Sequence, residues 1–339
     1  MKVLVTGGAG YIGSTICSAL LDNGYEPVIL DSLVTGKREF TKNKIFYEGD
    51  ISDINILNKI FQDNPDIKYT IHCAALIVVP ESVSNPFDYY YENVAKSLIL
   101  FKTLNNLGCN RIVFSSSASI YDDSKGFLVT EDPPLNPRSP YARTKYMIEM
   151  ILQDFCNAYD MHAIALRYFN PIGADPKMRS GIHVQFPSHI LGKLVEANSL
   201  SDGVFKITGT NWNTRDGSGI RDYLHVWDLA NAHVKAIKRF DYIFTESDFK
   251  VSHYVVINIG NGKGVTVKEL VSAFEKVIGK ELNKTYAPPR PGDIPGAYAS
   301  VERAKKLLNW KAEMSIEEGI KSALKWEEFK KMVLKIRKL

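Results

Sequence analysis

The fold is decided by the stretch Val3-Leu4-Val5-Thr6-Gly7-Gly8-Ala9-Gly10-Tyr11-Ile12-Gly13. An apolar run leads directly into closely spaced glycines, and a helical pattern of apolar residues follows them. Glycine allows the tight turn, lets a pyrophosphate approach bare backbone, and lets the helix pack closely against the strand. The first turn of that helix would also direct its N–H groups at the phosphates. The stretch therefore predicts a strand–turn–helix unit that binds a dinucleotide.

A second apolar run, Val28-Ile29-Leu30-Asp31, ends in an acid. Asp31 stands where a carboxylate would bind both hydroxyls of an adenosine ribose. The same carboxylate would repel the 2′-phosphate of NADP, so the predicted cofactor is NAD. Lys37 and Arg38 follow in the next loop, where they either soften this preference or are solvated loop charges.

Apolar strand patterns alternate with helical patterns over the first 170 residues. The predicted strands are 2–6, 26–31, 45–48, 69–73, 111–116 and 163–168, and the predicted helices include 11–23, 53–63, 93–107 and 140–159. Alternation at this spacing predicts an α/β fold with a doubly wound, parallel, Rossmann-type sheet. Beyond Pro171 the pattern loosens and predicts a smaller α+β region. We therefore expect an NAD-binding domain over 1–170 and a substrate-binding domain over 171–339.

The composition limits the classes of function. The chain has 339 residues, of which 45% are hydrophobic and 24% charged, and its formal net charge is +4. Such a small charge does not predict a nucleic-acid partner. The sequence has no uncharged run near the ~20 residues that span a bilayer, so no membrane partner is predicted. The lysine-rich stretch 321–338 is either a docked C-terminal helix with a solvated face or a basic helix at a membrane surface.

The cysteines indicate a reducing compartment. Cys17, Cys73, Cys109 and Cys156 lack the spacing of metal ligands or redox pairs. Three of them lie in apolar runs, where a free thiol behaves as a small hydrophobic side chain. The sequence opens on a predicted core strand rather than on a signal-peptide pattern, and we expect a cytoplasmic location. No metal site is predicted, and we expect the histidines to be structural.

The segment Ser139-Pro140-Tyr141-Ala142-Arg143-Thr144-Lys145 begins a predicted helix, with Ser139 as N-cap and Pro140 at the first helical position. Tyr141 and Lys145 are four residues apart and share a face, which by itself is also typical of a surface pair. A free tyrosine, with a pKa of about 10, is a poor base at neutral pH. A neighbouring ammonium and the positive end of the helix dipole both favour its phenolate. The pair therefore predicts an enzyme in which Tyr141 takes a proton from an alcohol during hydride transfer.

Three serines, Ser115, Ser116 and Ser117, follow the apolar residues of the strand 111–116. Serines at such a place can be simple turn formers. However, ligands bind at the carboxyl ends of the strands in a doubly wound sheet. A hydroxyl there, that of Ser117, would bond to the substrate oxygen and relay a proton to Tyr141. The predicted catalytic residues are therefore Tyr141, Lys145 and Ser117.

The glycine stretch, Ser117, Tyr141 and Lys145 together resemble the extended short-chain dehydrogenase/reductase family. Further similar segments cover essentially the whole chain: Phe114 to Tyr121, Arg167-Tyr168-Phe169-Asn170-Pro171, Asp216 to His225, and Ala287 to Asp293. Within that family, the sequences of these segments are similar to those of enzymes that act on sugar nucleotides. The resemblance implies NAD-dependent 4-epimerisation of a UDP-hexose, between UDP-glucose and UDP-galactose, through a transient 4-keto intermediate.

The resemblance also implies the binding residues. The implied cofactor contacts are Gly7, Gly10, Tyr11, Ile12, Gly13, Asp31, Ser32, Asp50, Ile51, Ala74, Ala75, Leu76, Asn93, Ser115, Tyr141, Lys145 and Phe169. The implied substrate contacts are Ser117, Tyr141, Asn170, Arg221, Arg290, Asp293 and Ala297. Arginine suits this role because its planar fork matches the oxygens of a diphosphate.

Several positions depart from the family pattern. Ile77 stands where many members have a lysine, and Glu92 stands where the pattern has an asparagine. Val184 and Thr208 replace an asparagine and a phenylalanine around the uridine. Ala297 stands where an aromatic residue closes over the sugar's C2 substituent in strictly glucose-specific members. UDP-N-acetylglucosamine therefore stays open as an alternative substrate.

Two other activities are weighed against epimerisation. Members of the family that expel a hydroxyl carry an acid pair after the catalytic hydroxyl residue, whereas Ala118 and Ser119 follow Ser117 here. A non-catalytic regulator that senses NAD on the same fold is an alternative of a different class, since a fold alone does not prove an activity. The retention of both Tyr141 and Lys145 favours the enzyme.

The resemblance implies a homodimer in which helices near 93–107 and 145–159 pair into a four-helix interface. Apolar residues lie at helical spacing along them, namely Leu98, Phe101, Leu104, Met147, Ile151 and Phe155. The core of a monomer would show the same spacing.

Overall fold

The computed structural model describes residues 1–121, 126–184, 187, 189–200, 202–245, 253–289 and 295–334. The strands are β1 (Lys2–Thr6), β2 (Glu26–Asp31), β3 (Ile45–Glu48), β4 (Tyr69–His72), β5 (Arg111–Ser117), β6 (Leu128–Val129), β7 (His162–Tyr168), β8 (Asn170–Ile172), β9 (Val204–Thr208), β10 (Ile220–Arg221), β11 (Tyr223–His225), β12 (Tyr254–Ile259), β13 (Val265–Thr266), β14 (Asn283–Ala287) and β15 (Tyr298–Ala299). Among the described residues, seven of these strands form one sheet in the order β12-β7-β5-β4-β1-β2-β3. Every neighbouring pair in it is parallel, which confirms the predicted doubly wound α/β fold.

The helices lie largely between the strands, as alternation predicts. They are α1 (Tyr11–Asp22), α2 (Ile54–Asp63), α3 (Val79–Ser84), α4 (Pro86–Tyr89), α5 (Lys96–Asn106), α6 (Pro140–Ala158), α7 (Ile190–Ser199), α8 (Val226–Lys238), α9 (Phe240–Thr245), α10 (Val267–Ile278) and α11 (Ile316–Val333). A π-helical segment, Tyr90–Ala95, leads directly into α5. The regular α-helix therefore begins at Lys96, three residues after the start of the helix predicted over 93–107.

The sheet is buried on both faces. Side chains alternate between the faces along each strand, so Val3 and Val113 pack beneath α1 and α8, whereas Leu4 and Ile112 pack beneath α2, α5 and α6. Burial on both sides explains why these strands read as continuous apolar runs rather than as an alternating pattern.

The edge strand β12 comes from the second half of the chain and pairs with β7. The sequence analysis did not predict it, because a short apolar run such as Val255-Val256-Ile257 carries no sign of which distant strand it joins. The sheet thus takes six strands from 1–170 and one from beyond it, among the residues described. The division of the chain into two domains at residue 170 stays a prediction.

The rest of the second half packs around its own core, which includes Leu191, Tyr223, Phe274 and Ile320. Short two-stranded pairs join β8 to β11, β9 to β14, β10 to β13 and β6 to β15.

The C-terminal helix α11 is docked against the rest of the protein. The Trp326 indole is buried against Phe40, and its Nε1 donates to the Ile182 carbonyl oxygen at 2.7 Å. Of the two alternatives for the lysine-rich stretch, the docked helix is confirmed over α11. In the described part of the chain, no helix is long and apolar enough to cross a membrane.

Candidate active site

The predicted cofactor residues lie along the carboxyl edge of the sheet. Gly7 follows β1, Asp31 ends β2, Ala74 lies just beyond β4, and Ser117 ends β5. The register pairs Thr6 with both Leu30 and His72, so these strand ends meet at one edge. This is the edge at which parallel sheets of this type bind ligands.

The turn after β1 has the shape that a pyrophosphate needs. Gly7 has a φ of 70°, and a Cβ there would lie 2.7 Å from the Ala74 nitrogen. A Cβ at Gly13 would collide with the Gly7 carbonyl oxygen, so α1 can approach the turn only with glycine at this place. Gly10 is the N-cap of α1, and among the described residues no side chain caps the helix. The first N–H groups of α1 therefore remain available to an anion, which fits a dinucleotide.

Asp31 is held rigidly beside this turn. Its Oδ2 accepts from the Ala9 N–H at 2.9 Å, and its Oδ1 accepts from the Leu33 N–H at 2.8 Å. Arg38 forms an ion pair with Glu48 at the end of β3. This pairing favours the interpretation of Arg38 as a loop charge, neutralised by a neighbouring acid, over a role in softening the preference for NAD. Asp31 itself lies at the end of β2, as predicted.

Asp50 lies two residues beyond β3 and is hydrogen-bonded to a lysine that the sequence analysis did not consider. Its Oδ2 accepts from Lys96 Nζ at 2.6 Å, and its Oδ1 accepts from the main chain and hydroxyl of Ser52. Burial raises the pKa of Asp50, but the hydrogen bonds from Lys96 and Ser52 outweigh burial and hold it below its ordinary value. Lys96 Nζ also donates to Glu92 at 2.7 Å. Glu92, which departs from the family pattern, thus gives Lys96 a second anionic partner. Ile51, the residue after Asp50, is buried in the core.

Asn93 joins the loop after β4 to the helix that carries Tyr141. Its Oδ1 accepts from the Leu76 N–H at 2.8 Å, and its Nδ2 donates to the Leu76 carbonyl oxygen at 3.0 Å. The same Nδ2 donates to Thr144 Oγ1 at 3.1 Å. Leu76 is therefore held at a fixed distance from α6 through Asn93.

Tyr141, Lys145 and Ser117 come together where β5 ends and α6 begins. Ser139 caps α6 as predicted, its hydroxyl accepting from the Ala142 N–H at 3.1 Å. The Tyr141 side chain lies close enough to Ser117 for that residue to lower its pKa, and the Ser117 hydroxyl donates to Ser119 Oγ at 3.0 Å. Lys145 is 1% exposed, and its Nζ donates to the Ser115 carbonyl oxygen at 2.9 Å.

Burial sets the protonation of this group. It raises the pKa of Tyr141, and the neighbouring Ser117 opposes that effect. It lowers the pKa of Lys145 to about 8, although Cys73 and Glu149 act in the opposite direction. Tyr141 is consequently a neutral phenol that releases a proton only with electrostatic help, and the prediction that Lys145 gives this help stays a prediction.

The three serines have three different surroundings. The Ser115 hydroxyl is buried, 3.1 Å from His233 Nε2 and 3.1 Å from Cys73 Sγ. The Ser116 hydroxyl faces the other side of the sheet and donates to Glu149. Only Ser117 lies with Tyr141. The carbonyl oxygen of Ser115 belongs to the site through Lys145, and its role as a cofactor contact stays a prediction.

Two further predicted substrate residues, Asn170 and Arg221, lie on short strands that follow β7 in the chain. The Asn170 N–H in β8 donates to the Asp222 carbonyl oxygen at 3.0 Å. Arg221 Nη1 donates to the carbonyl oxygens of Ile220 at 2.7 Å and Pro295 at 3.2 Å. Arg290 and Asp293 lie outside the described residues.

Ala297 packs against a small cluster at the mouth of this region that includes Phe169 and Tyr121. The next residue, Tyr298, belongs to β15, and its N–H donates to the Phe127 carbonyl oxygen at 2.8 Å. Its ring lies against Gly264, where a Cβ would be 2.6 Å from Tyr298 Cδ1. Tyr298 is therefore held on the side away from the cluster that Ala297 contacts.

A comparison with known proteins identifies the family. The NAD dependent epimerase/dehydratase family matches residues 3–256. The chain belongs to this family.

Relatives of this epimerase-family chain extend over its whole length. It is 40% identical over 337 residues to a UDP-glucose 4-epimerase of Bacillus subtilis (strain 168), covering 96% of this chain and 97% of the relative. It superposes with a TM-score of 0.86 on UDP-glucose 4-epimerase from Bifidobacterium longum, solved with NAD+ and UDP, at 34% identity and over 97% of this chain and 98% of that one. It superposes with a TM-score of 0.81 on the UDP-Glc/GlcNAc 4-epimerase of Campylobacter jejuni, at 32% identity and over 96% and 99% of the two chains.

Behind the active site of this family member lies a buried ion pair that the sequence analysis missed. Glu149 accepts from Arg167 Nη2 at 2.6 Å and Nε at 3.0 Å, and both side chains are buried. Arg167 Nη1 also donates to the Tyr121 hydroxyl at 3.0 Å. Two signals were available: Glu149 lies four residues beyond Lys145, and a charged residue inside an apolar strand requires a buried partner.

The histidines of the epimerase-family chain that the sequence analysis expected to be structural have structural partners. His72 lies between Thr6 Oγ1 at 2.7 Å and Ser97 Oγ at 2.8 Å, and burial lowers its pKa to about 3. His225 is the N-cap of α8 and lies 3.0 Å from Ser322 Oγ. Within the described ranges, no group of three or more histidine, cysteine or acidic side chains is arranged to hold a metal ion.

Proposed function

We propose that the chain is an NAD-dependent epimerase that interconverts UDP-glucose and UDP-galactose by inverting C4 of the hexose through a 4-keto intermediate. The observation that carries this proposal is that Tyr141, Ser117 and the buried Lys145 ammonium lie together at the edge that also holds the dinucleotide turn. Named UDP-glucose 4-epimerases that match the chain from end to end support the same activity.

The cofactor site fits NAD. The turn at Gly7 and the start of α1 would hold the pyrophosphate, Asp31 the adenosine ribose, and Asp50 with Ile51 the adenine end. Among the other predicted contacts, Leu76 is clamped by Asn93 on the nicotinamide side. When bound, NAD supplies a reversible hydride acceptor for the carbon that is inverted.

The residues of the chain manage the proton and the sugar. Tyr141 takes the proton of the 4-hydroxyl as the carbon is oxidised and returns it when the carbon is reduced on its other face. Ser117 bridges that proton to Tyr141, and Lys145 stabilises the phenolate. Asn170, Arg221 and Arg290 would anchor the diphosphate while the 4-keto sugar turns over, with Asp293 near the ribose.

A second substrate, UDP-N-acetylglucosamine, is supported by Ala297. Alanine leaves room beside the sugar's C2 substituent, and Tyr298 is held away by β15 and Gly264. The UDP-Glc/GlcNAc 4-epimerase of Campylobacter jejuni, an enzyme named for both sugars, shares this fold. The assembly of Tyr141, Lys145 and Ser117 at one edge favours either enzyme over a non-catalytic regulator.

We also propose that the chain forms a homodimer through α5 and α6. Leu98 is 43% exposed and Met147 is 37% exposed, so both are available to a second copy. Phe101 and Leu104 are fully buried in the core of the sheet, and Ile151 and Phe155 pack against that core. Fewer of these six residues are therefore available to the proposed interface than the helical spacing indicated. A cytoplasmic location remains part of the proposal.

The decisive experiment is incubation of the purified protein, without added cofactor, with UDP-galactose and separately with UDP-N-acetylgalactosamine. We expect UDP-glucose from the first and UDP-N-acetylglucosamine from the second, identified by chromatography and mass spectrometry. Loss of water from the sugar would contradict epimerisation. No product from either substrate, with NAD present in the protein, would favour the regulator.

A further inference from the structure

Asp222 follows Arg221 in the segment Asp216 to His225, and the sequence analysis gave it no role. Its side chain is completely buried. Oδ1 accepts from the Asn261 N–H at 2.6 Å, and Oδ2 accepts from the N–H groups of Gly262 and Ala299, each at 3.0 Å. One carboxylate therefore ties the β10–β11 segment to the loop after β12 and to β15.

The segments that meet at Asp222 are those that carry the proposed substrate contacts. Arg221 is the preceding residue, and the Asn170 N–H donates to the Asp222 carbonyl oxygen at 3.0 Å. Ala299, which donates to the carboxylate, lies two residues from Ala297 on the same short segment. The phosphate-binding and sugar-binding parts of the proposed site thus share one anchor.

The anchor is costly, which points to a role beyond packing. A buried carboxylate loses its hydration and needs compensation. In the described part of the chain, the hydrogen-bond partners of the Asp222 carboxylate are all main-chain N–H groups. Gly260 makes room for the carboxylate, since a Cβ there would lie 2.5 Å from Oδ2.

We propose that Asp222 is the positioning residue of the sugar-nucleotide half of the site, and that its ionised form is required for tight binding of the UDP-sugar. The inference rests on the proposed function. It predicts that loss of the charge loosens Arg221, Asn170 and Ala297 together, while the glycine turn, Asp31 and Lys145 on the other half of the site keep their geometry.

The charge of Asp222 changes within an accessible pH range. Burial raises its pKa to about 6, even though its three N–H partners lower it. The titratable side chains on the described segments packed against it are Arg221, Tyr223 and His225 on its own segment, Tyr168 before β8, Lys263 after β12, Tyr298 in β15, and Glu131, which follows β6 and accepts from the Asn258 N–H in β12. Burial lowers the pKa of His225 to about 4, below the range of interest, and raises the pKa of Glu131. Asp222 changes charge between pH 5 and 7 in direct contact with the segments that carry the proposed substrate contacts.

The test compares Asp222→Asn with the matched control Asp228→Asn. Asp228 is also a buried acid held by main-chain donors, the N–H groups of Glu313 at 3.0 Å and Met314 at 2.9 Å, but it ties α8 to a segment remote from the substrate contacts. We expect Asp222→Asn to raise the KM for UDP-galactose at least ~10-fold at pH 7.5, with kcat and bound NAD within twofold of wild type. We expect Asp228→Asn to lower Tm without changing the KM.

A second measurement uses the wild-type protein and so does not depend on the folding of a variant. Its KM for UDP-galactose should rise as the pH falls from 7 to 5, with a midpoint near 6. UDP-galactose is the probe because its diphosphate is a diester, whereas the terminal phosphate of free UDP has its own pKa of about 6. A KM that is flat between pH 5 and 7, or equal effects of the two substitutions on KM, would overturn the proposal.

Failure of the proposed function gives a different result. If wild-type protein binds UDP-glucose in calorimetry but converts none, the epimerase proposal is wrong, and the same comparison of Asp222→Asn with Asp228→Asn is made on the binding constant. If wild-type protein that retains NAD binds no UDP-glucose at all, both proposals are wrong.

Discussion

The Lys145 ammonium and the Ser115 carbonyl oxygen form a buried hydrogen bond of 2.9 Å. β4 ends at His72, which pairs with Phe114 of β5. β5 is longer, so its next residue, Ser115, lies beyond the end of β4. The ammonium also lies 5.0 Å from the centre of the Phe114 ring. The staggered ends of two strands thus create the place where a lysine one helical turn from Tyr141 is held as a buried cation.

Replacing Tyr141 by phenylalanine tests the proton acceptor. Removal of the hydroxyl should lower kcat by at least ~10²-fold, the scale of general acid–base effects. Bound NAD and Tm should change little, because the ring keeps its packing. Tyr146→Phe on the same helix is the control and should retain wild-type kcat. Near-normal turnover of Tyr141→Phe would remove Tyr141 from this role.

Lys145 should affect stability as well as activity. Its pKa is lowered from an ordinary 10.5 to about 8 by burial. Between these two pH values the unfolded chain holds a proton that the folded chain has released, so unfolding free energy rises with pH. Relative to Lys145→Met, wild-type protein should gain stability from pH 8 to 10.5, by at most about 3 kcal/mol. Parallel denaturation curves of the two proteins over this range would show that the lysine is not desolvated.

The purified protein should contain NAD rather than NADP. Asp31 is fixed beside the glycine turn by Ala9 and Leu33, and a carboxylate there repels a 2′-phosphate. Acid extraction followed by chromatography measures the bound cofactor. Asp31→Asn should lose most of it, whereas Asp53→Asn, which alters only the N-cap of α2, should retain it. Extraction of NADP alone would contradict the assignment of Asp31.

A dimer should form through the exposed apolar residues of α5 and α6. Light scattering at micromolar concentration should give twice the chain mass of 38.1 kDa. Leu98→Glu and Met147→Glu place charges on the proposed interface and should give monomers. Met332→Glu, at an exposed position on α11, is the control and should leave the mass unchanged. A monomeric wild-type protein would refute the interface.

The sequence was most informative where function depends on neighbours along the chain. The turn from Gly7 to Gly13, the pair of Tyr141 and Lys145, and the end of the strand at Ser117 could all be located from local spacing. Contacts between distant segments could not. The pairing of β12 with β7 and the three donors to Asp222 each join segments whose separation in sequence carries no signal of their contact. For Glu149 and Arg167 the sequence indicated that a buried charge needs a partner, but not that these two residues pair with each other.

Alanine at position 297 should allow the protein to accept sugars with a larger C2 substituent. Ala297 contacts the cluster around Phe169, and Tyr298 is fixed on the other side by the Phe127 carbonyl oxygen and Gly264. We therefore expect an N-acetyl group to fit beside Ala297 without a clash, because filling an apolar gap is favourable. We expect measurable conversion of UDP-N-acetylgalactosamine alongside UDP-galactose.

The variant Ala297→Tyr should restore a strict preference for the smaller C2 substituent. The introduced ring would occupy the space of the N-acetyl group, so kcat/KM for UDP-N-acetylgalactosamine should fall by at least ~10-fold, within the range for steric discrimination in a pocket. The value for UDP-galactose should fall much less, because a hydroxyl at C2 needs little room. Leu128→Ala, at an exposed position on the strand β6 that pairs with β15, controls for general disturbance of β15. The small-residue argument fails if wild-type protein converts UDP-galactose well and leaves UDP-N-acetylgalactosamine untouched.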